Sequence, residues 1–419
     1  MKAQVYDNIY IKSLQRKLPP ARKTERIDLL NEISFAWQNY TDSELVKLPG
    51  WWVMKRDSTI KYARIAKKES VTLAYRKGEG MALVNQTNGQ FFSWWDEKGF
   101  PKTVTPQLLD SMDKNLTLAL SLLDSTDHNI LGQLFGLWGD IARKKSRSDL
   151  MTYGKNMKES IRQYELAGNK KLIAESCTWV SFDYIDAGYL GEALDFSLKG
   201  LQYGNEWTPA DSSTQNREWK SYIILQSLYN LSDISRMGGD YNSALKYLHD
   251  ANDYAVANKY DWIPCSEICE VYISMGNADS ALAYQQNCAH KNANPLDDDA
   301  LGRIYVMKKE YDKAIPILLN ISSKMSNRPR MATETACELG KAYAGKGNYR
   351  EAQKYAYLAL ERANEWGKRA YTMPAYELLS NIHHTLGNND SAYLYLNKFM
   401  LLKDSIQNAQ FRWQLQKVQ

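Results

Sequence analysis

The chain has 419 residues, enough for a sizeable buried core, and with 44% apolar and 24% charged residues, 11 prolines and 23 glycines it is neither collagen-like nor disordered. Lysine and arginine (53) outnumber aspartate and glutamate (48) without forming a block of like charge, so no basic nucleic-acid footprint stands out. The longest apolar run, Leu116 to Leu123, is interrupted by Thr117 and Ser121 and falls short of a membrane span, and Met1 to Tyr10 lacks a signal-peptide core.

In chain order, helical periodicity runs through Arg26–Tyr40, Asp57–Glu69, Tyr75–Trp95, Pro106–Asp124, Ile130–Lys144 and Leu150–Ala167. Asp42–Trp52 and Asp96–Thr105, the latter with Gly99 and Pro101, read as loops between helices. Gly78-Glu79-Gly80 lacks the further glycine of a dinucleotide-binding turn and reads as a loosened helix start. From residue 170 onward one order recurs. It reads Tyr184, Gly188, Ala193; then Leu231, Gly239, Tyr241, Ala244; then Ile268, Tyr272, Gly276, Ala281; then Leu301, Gly302, Tyr305, Tyr311, Ala314. It continues with Leu339, Gly340, Tyr343, Gly347, Tyr349, Ala352, Ala359, and ends with Leu379, Gly387, Ala392. In the clearest copy, Gly347-Asn348 separates two stretches of strong helix formers, giving a helix, a tight turn and a second helix. Gly340 and Ala352 are small where the two antiparallel helices must approach closely, while Leu339, Tyr343 and Tyr349 supply bulk around the contact.

This order resembles the tetratricopeptide repeat. The resemblance implies an all-α, right-handed superhelical solenoid of antiparallel helix pairs, each packed on its neighbours. The alanines after the turn, at 193, 244, 281, 314, 352 and 392, recur around the family's period of about 34, with the widest gap filled by a loop over Asn205–Trp219. Three regions are expected: degenerate helix pairs over 1–169, clearer repeats of the same solenoid over 170–402, and a projecting carboxyl-terminal helix over 403–419.

No catalytic constellation is present. The phosphate-binding loop, the HExxH zinc helix and the nucleophile-elbow pattern are all missing, so the chain is expected not to be an enzyme and to use no cofactor and no metal. Cys265 and Cys269 stand four apart on one helix face, yet the repeat register puts Cys177, Cys265, Cys269 and Cys288 at packing positions, leaving Cys337 near the groove. His383 and His384 are adjacent and point about 100° apart on a helix, and Cys288 with His290 has no second pair at zinc spacing. The 12 tryptophans and 28 tyrosines include Trp51-Trp52, Phe91-Phe92 and Trp94-Trp95; packing between helix layers accounts for them better than a stacking surface for a ligand.

In solenoids of this kind the first helix of each pair lines the concave face. Residues three before and one after the small slot share a side of that helix, which selects Thr178/Phe182, Tyr229/Asp233, Ser266/Glu270, Asp299/Arg303, Cys337/Lys341 and Glu377/Asn381, with Arg236 and Glu334 beside them. No pair carries the Lys-then-Asn arrangement with which chaperone-binding relatives clamp a terminal carboxylate. Mixed charge suits a peptide, a protein segment or a small polar ligand, and no nucleic acid.

The phrases Glu25–Phe35, Asp57–Ala63 and Leu402–Ile406 resemble the flanks of tetratricopeptide sensor regions in Bacteroidetes two-component regulators. That resemblance implies a ligand-binding periplasmic region that passes a conformational change to a membrane helix and an output domain not contained in this sequence; the alternative is a free-standing cytoplasmic interaction scaffold. Phe399, Leu402, Ile406, Ala409 and Trp413, spaced 3, 4, 3, 4, read either as a coiled-coil seam for a homodimer or as a cap on the stack.

Overall fold

The computed structural model describes residues 8–39, 51–94, 104–146, 149–208, 214–260, 264–289, 295–324, 329–365 and 369–418. Among them no strand occurs. The first helices are α1 (Asn8–Lys17), α2 (Lys23–Gln38), α3 (Trp51–Thr72), α4 (Arg76–Phe91, continued by a 3-10 turn at Phe92–Trp94), α5 (Pro106–Leu122), α6 (His128–Lys145) and α7 (Leu150–Leu166). They are followed by α8 (Lys170–Ala187), α9 (Leu190–Glu206), α10 (Thr214–Met237), α11 (Tyr241–Ala257), α12 (Cys265–Ser274) and α13 (Ala278–Ala289). The remaining helices are α14 (Pro295–Met307), α15 (Tyr311–Lys324), α16 (Pro329–Gly345), α17 (Tyr349–Glu365), α18 (Arg369–Thr385) and α19 (Asn389–Val418). The all-α class and the tetratricopeptide-type helix pairs expected from the repeat are what the structure holds.

Two loops differ from expectation. Helix α3 already begins at Trp51, and the rest of the loop expected at 42–52 lies outside the described residues, as does 96–103. Helices α9 and α10 take both ends of the loop expected at Asn205–Trp219, because Thr214–Trp219 contains no glycine or proline and polarity alone does not stop a helix; 209–213 lie outside the described residues.

The chain divides into two compact units, Met1–Ser176 with Tyr203–Lys220, and Cys177–Gln202 with Ser221–Gln419. In unit one, α2 touches α3 and α4, and α4 touches α5 and α6. Ser34 Oγ on α2 donates to the carbonyl of Thr59 on α3 at 2.8 Å. Gly78 lies in the first turn of α4, where a Cβ would stand 2.5 Å from the Tyr75 ring and 2.7 Å from Ile27, so the glycine is required by close packing within a regular helix and not by the loosened start read from Gly78-Glu79-Gly80.

In unit two the turn predicted at Gly347 is a left-handed helix cap. Gly347 has φ +75°; its N–H donates to the Ala344 carbonyl at 2.9 Å, and the Asn348 N–H donates to Tyr343 at 2.9 Å. Asn348 Oδ1 then accepts from the Glu351 N–H at 3.3 Å and starts α17. The same pair of bonds recurs at Gly188, Gly239, Gly276 and Gly387, and at Lys309 between α14 and α15.

The small slot meets the second helix twelve residues later. Ser181 Oγ donates to the Ala193 carbonyl and Ser380 Oγ to the Ala392 carbonyl, each at 2.9 Å, and Cys269 Sγ donates to Ala281 at 3.7 Å. At Gly340 an added Cβ would lie 3.2 Å from the Ala352 carbonyl and 2.6 Å from Leu378. Ala193, Ala244, Ala281, Ala314 and Ala352 are all fully buried, as the register requires. First helices also touch one another, α12 with α14, α14 with α16, and α16 with α18. The first helices therefore form the inner side of this unit.

At the carboxyl end, Ala392 and Leu402 are buried and Tyr395 and Phe399 half-buried along one side of α19, with the Tyr395 ring stacked on those of Tyr376 and His383 of α18. Phe399 and Leu402 thus belong to the chain's own stack and not to a seam with a second chain, since the 3, 4 spacing that fits a coiled coil fits any helix laid on a neighbour. The side chains of Ile406, Ala409 and Trp413 lie outside the described residues.

Ala352→Leu tests this packing. Extra methylenes in the closed contact should lower stability by about 1–3 kcal/mol, measured by urea denaturation, and an unchanged midpoint would contradict the register.

Candidate functional site

The inner side of unit two gathers most of the polar residues selected from the sequence, and the structure shows which of them meet. Thr178 does not line an open surface. It is buried, its Oγ1 lies 3.0 Å from Ser227 Oγ, and its carbonyl accepts from Asn230 Nδ2 at 2.9 Å, because α10 covers that side of α8. Phe182, Tyr229 and Glu334 are half-buried. Ser266, also half-buried, turns along its own helix to donate to Glu267 Oε2 at 3.0 Å. Glu377 and Asn381 are exposed on α18, and the side chain of Asp299 lies outside the described residues.

The charged members pair. Asp233 accepts from Arg236 Nε at 3.1 Å one turn along α10, and Arg236 Nη1 donates to Ser274 Oγ on α12 at 3.1 Å. Glu270 on α12 forms an ion pair with Arg303 on α14. Lys341 on α16 donates to Glu338 at 2.7 Å, and the Glu338 carboxylate together with that bond holds the Lys341 ammonium above the usual lysine range. Between these groups, Cys337 is buried, and burial pushes its thiol up to about 12, with the charges of Lys341, Glu338, Arg303 and Glu377 acting on it in smaller measure. A row of compensated charge thus crosses from α10 to α16.

Two residues that sequence reasoning missed tie the ends of this unit together. Tyr371 Oη at the start of α18 donates to Asp186 Oδ1 at the end of α8 at 3.4 Å, across 185 residues of sequence. Asp186 is 2% exposed. No local spacing marks such a contact.

Unit one has an inner side of amides. Gln38 Nε2 donates to Asn85 Oδ1 at 2.8 Å, Asn85 Nδ2 to the Asn31 carbonyl at 3.1 Å, and Asn31 Nδ2 to the Gly78 carbonyl at 2.9 Å. Gln133 Nε2 reaches Gln38 Oε1 at 2.7 Å, so α2, α4 and α6 are joined by side-chain amides. The aromatic clusters serve packing: Trp94 and Phe92 are buried, and Phe91 lies 4.3 Å from Trp94 between ring centroids; the side chains of Trp52 and Trp95 lie outside the described residues. Lys55 is buried with its ammonium 4.9 Å from the Phe92 centroid and 5.5 Å from that of Trp51.

Among the described residues no group of three or more His, Cys, Asp or Glu could hold a metal, and no helix is long and apolar enough to cross a membrane. Cys177, Cys269 and Cys337 are buried and in no disulfide, which suits the packing positions assigned to Cys177 and Cys269, whereas Cys337, placed near the groove, is buried as well. Cys265 departs from that reading. It is half-buried at the first turn of α12 and disulfide-bonded, while the side chain of Cys288 lies outside the described residues.

Residues 333–365, the α16–α17 pair, match the tetratricopeptide repeat family model. A stretch of 135 residues, 32% of the chain, is 28% identical to BBSome complex member BBS4 of Bos taurus and spans about a quarter of that relative's length. Among solved structures, a Rap protein complexed with competence and sporulation factor superposes with a TM-score of 0.55 over 90% of this chain and 99% of that one, at 12% identity. A signal transduction ATPase with a tetratricopeptide repeat sensor from Pyrococcus horikoshii is similar at TM-score 0.41 and 15% identity over 93% of this chain and 54% of that one. The family-model match over 333–365 and the likeness to the Rap protein show a tetratricopeptide-type fold.

Lys55 makes a pH dependence measurable. Burial lowers its ammonium to about 8, against the opposing field of Glu175. Between about pH 8 and 10.5 the unfolded chain therefore holds more protons than the folded one, and stability rises with pH across that window. Lys55→Met should raise stability at pH 7 by on the order of 2 kcal/mol and flatten the slope between pH 8 and 10.5 in denaturant titrations; an unchanged slope would show that Lys55 does not titrate there.

Proposed function

We propose that the inner side of unit two binds an extended polar peptide or protein segment, and that the chain is the non-enzymatic sensor region of a bacterial signal-transduction regulator of the two-component kind. In this reading a conformational change passes to a membrane and output portion beyond the sequence given. The observation that carries it is the row Asp233–Arg236, Glu270–Arg303 and Glu338–Lys341. Arg236 and Asp233 are 16% and 5% exposed and Arg303 and Glu270 13% and 22%, so a ligand that displaced a member of either pair would have to replace its charge. Lys341, 42% exposed beside Glu338, is the charge a ligand group reaches most readily, which a closed apolar inner side could not offer. The Asp186–Tyr371 bond between the first and last inner helices of the unit offers a contact that an occupant could alter. A Rap protein of this fold holds competence and sporulation factor, so a signalling factor is a fitting class of ligand.

The Cys265 disulfide supports a periplasmic setting, since disulfides persist in oxidising compartments and are rare in the cytosol. A second reading, a free-standing cytoplasmic scaffold, draws on the match to a BBSome complex member. Mass spectrometry of non-reduced protein from its native cells separates the two: a bridged Cys265 supports the periplasmic sensor, and a free thiol supports the scaffold.

The binding surface is tested by selecting displayed heptapeptides on the immobilised chain. Arg303→Gln combined with Lys341→Gln should weaken the selected peptides at least about tenfold, a loss of roughly 1.4 kcal/mol, while Lys354→Gln on the exposed side of α17 should leave them unchanged. Equal binding by the double variant would place the ligand elsewhere.

A further inference from the structure

The last helix carries a second apolar side that none of the described residues covers. On α19, Tyr393 is 72% exposed, Leu401 65%, Leu394 49%, Leu396 46% and Met400 44%. At 100° per residue these five fall within roughly 160° of the helix surface, opposite Ala392, Tyr395, Phe399 and Leu402, which pack inward. Monomers seldom leave so large a contiguous apolar patch in water.

We infer that this side of α19 is a homodimer interface, in which α19 crosses α19 of a second copy antiparallel on a two-fold axis through Asn397. The choice of a second copy rests on the pattern of the patch. An interface made by the same surface on both subunits must complement itself under rotation. Around Asn397 the apolar positions are symmetric, with Tyr393 and Leu394 four and three residues before it and Met400 and Leu401 three and four after. The antiparallel crossing sets Tyr393 against the partner's Leu401 and Leu394 against the partner's Met400. Asn397, exposed in the single chain, then lies on the axis, where an amide is both donor and acceptor and can pair with its own copy. A polar residue at the centre of an apolar seam also fixes register.

The symmetric segment, Tyr393 to Leu401, spans about 12 Å, which places the contact among small interfaces, so the dimer is expected to dissociate in the micromolar range. The interface is independent of the ligand reading above and would exist with the inner side of unit two empty.

Sedimentation velocity of the full chain from about 1 to 200 µM tests it. The weight-average mass should rise with concentration from 48.1 kDa towards twice that value. Tyr393→Lys and Leu401→Lys, both at exposed positions that leave the fold intact by circular dichroism, should each hold the chain at the monomer mass. Asn397→Cys should form an interchain disulfide on mild oxidation. A mass of 48.1 kDa at every concentration would overturn the proposal. So would a dimer indifferent to both lysine substitutions, or cross-linking at Ile406→Cys without cross-linking at Asn397→Cys, which would mark a parallel rod instead.

Discussion

Four helix pairs of unit two, α8–α9, α12–α13, α16–α17 and α18–α19, are pinned where a small residue on the first helix meets the backbone of the second, twelve residues later. Ser181 and Ser380 close that contact with hydroxyl bonds to the carbonyls of Ala193 and Ala392, and Cys269 does so with its thiol. Gly340 closes it by leaving no room, with the Ala352 carbonyl 3.2 Å from where a Cβ would be. Three chemistries serve one distance. The carbonyl on the far side belongs to an alanine for the same reason, since any larger residue would hold the helices apart. The left-handed turn between them, at Gly188, Gly239, Gly276, Gly347 and Gly387, sets the chain reversal that brings slot and carbonyl together.

That close contact within pairs places the first helices against one another on the inner side, where the residues between neighbours are polar. In unit one they are amides, Asn31, Gln38, Asn85 and Gln133, largely satisfied by one another. In unit two they are mostly ions, Asp233 with Arg236, Glu270 with Arg303, and Glu338 with Lys341. The difference matters for function. A buried amide ladder fixes a structure because leaving one member unpaired is costly, whereas Lys341, 42% exposed beside Glu338, keeps a charge within reach of an incoming charged or polar chain. Binding is therefore ascribed to unit two.

The repeat was legible because its constraints are local. Gly347-Asn348, the slot at Gly340 and the alanine at 352 lie within about a dozen residues, and the same spacing recurs along the chain. The equivalent contact in unit one, Ser34 to Thr59, is 25 residues apart because a long connection separates α2 from α3, and so the period that reveals the others hides it. The inner side was legible only in part. Spacing by four selects a side of a helix without telling whether a neighbour covers it, so Thr178 was selected although α10 buries it. Partners on different helices, Glu270 with Arg303 and Asp186 with Tyr371, are 33 and 185 residues apart and have no signature in one sequence. The state of Cys265 was equally hidden, since a packing position and a half of a disulfide look alike in the register.

A double-mutant cycle at Gly302 and Leu318 tests the central constraint most directly. A Cβ on Gly302 would lie 2.7 Å from Leu318 Cδ2, so the small slot exists to admit that side chain. Gly302→Ala and Leu318→Ala should each destabilise unit two in urea denaturation, and together they should cost less than the sum of the two by at least about 1 kcal/mol, because the second substitution vacates the space the first needs. Strict additivity would contradict the account, since it would mean that the first and second helices do not close on each other through that slot.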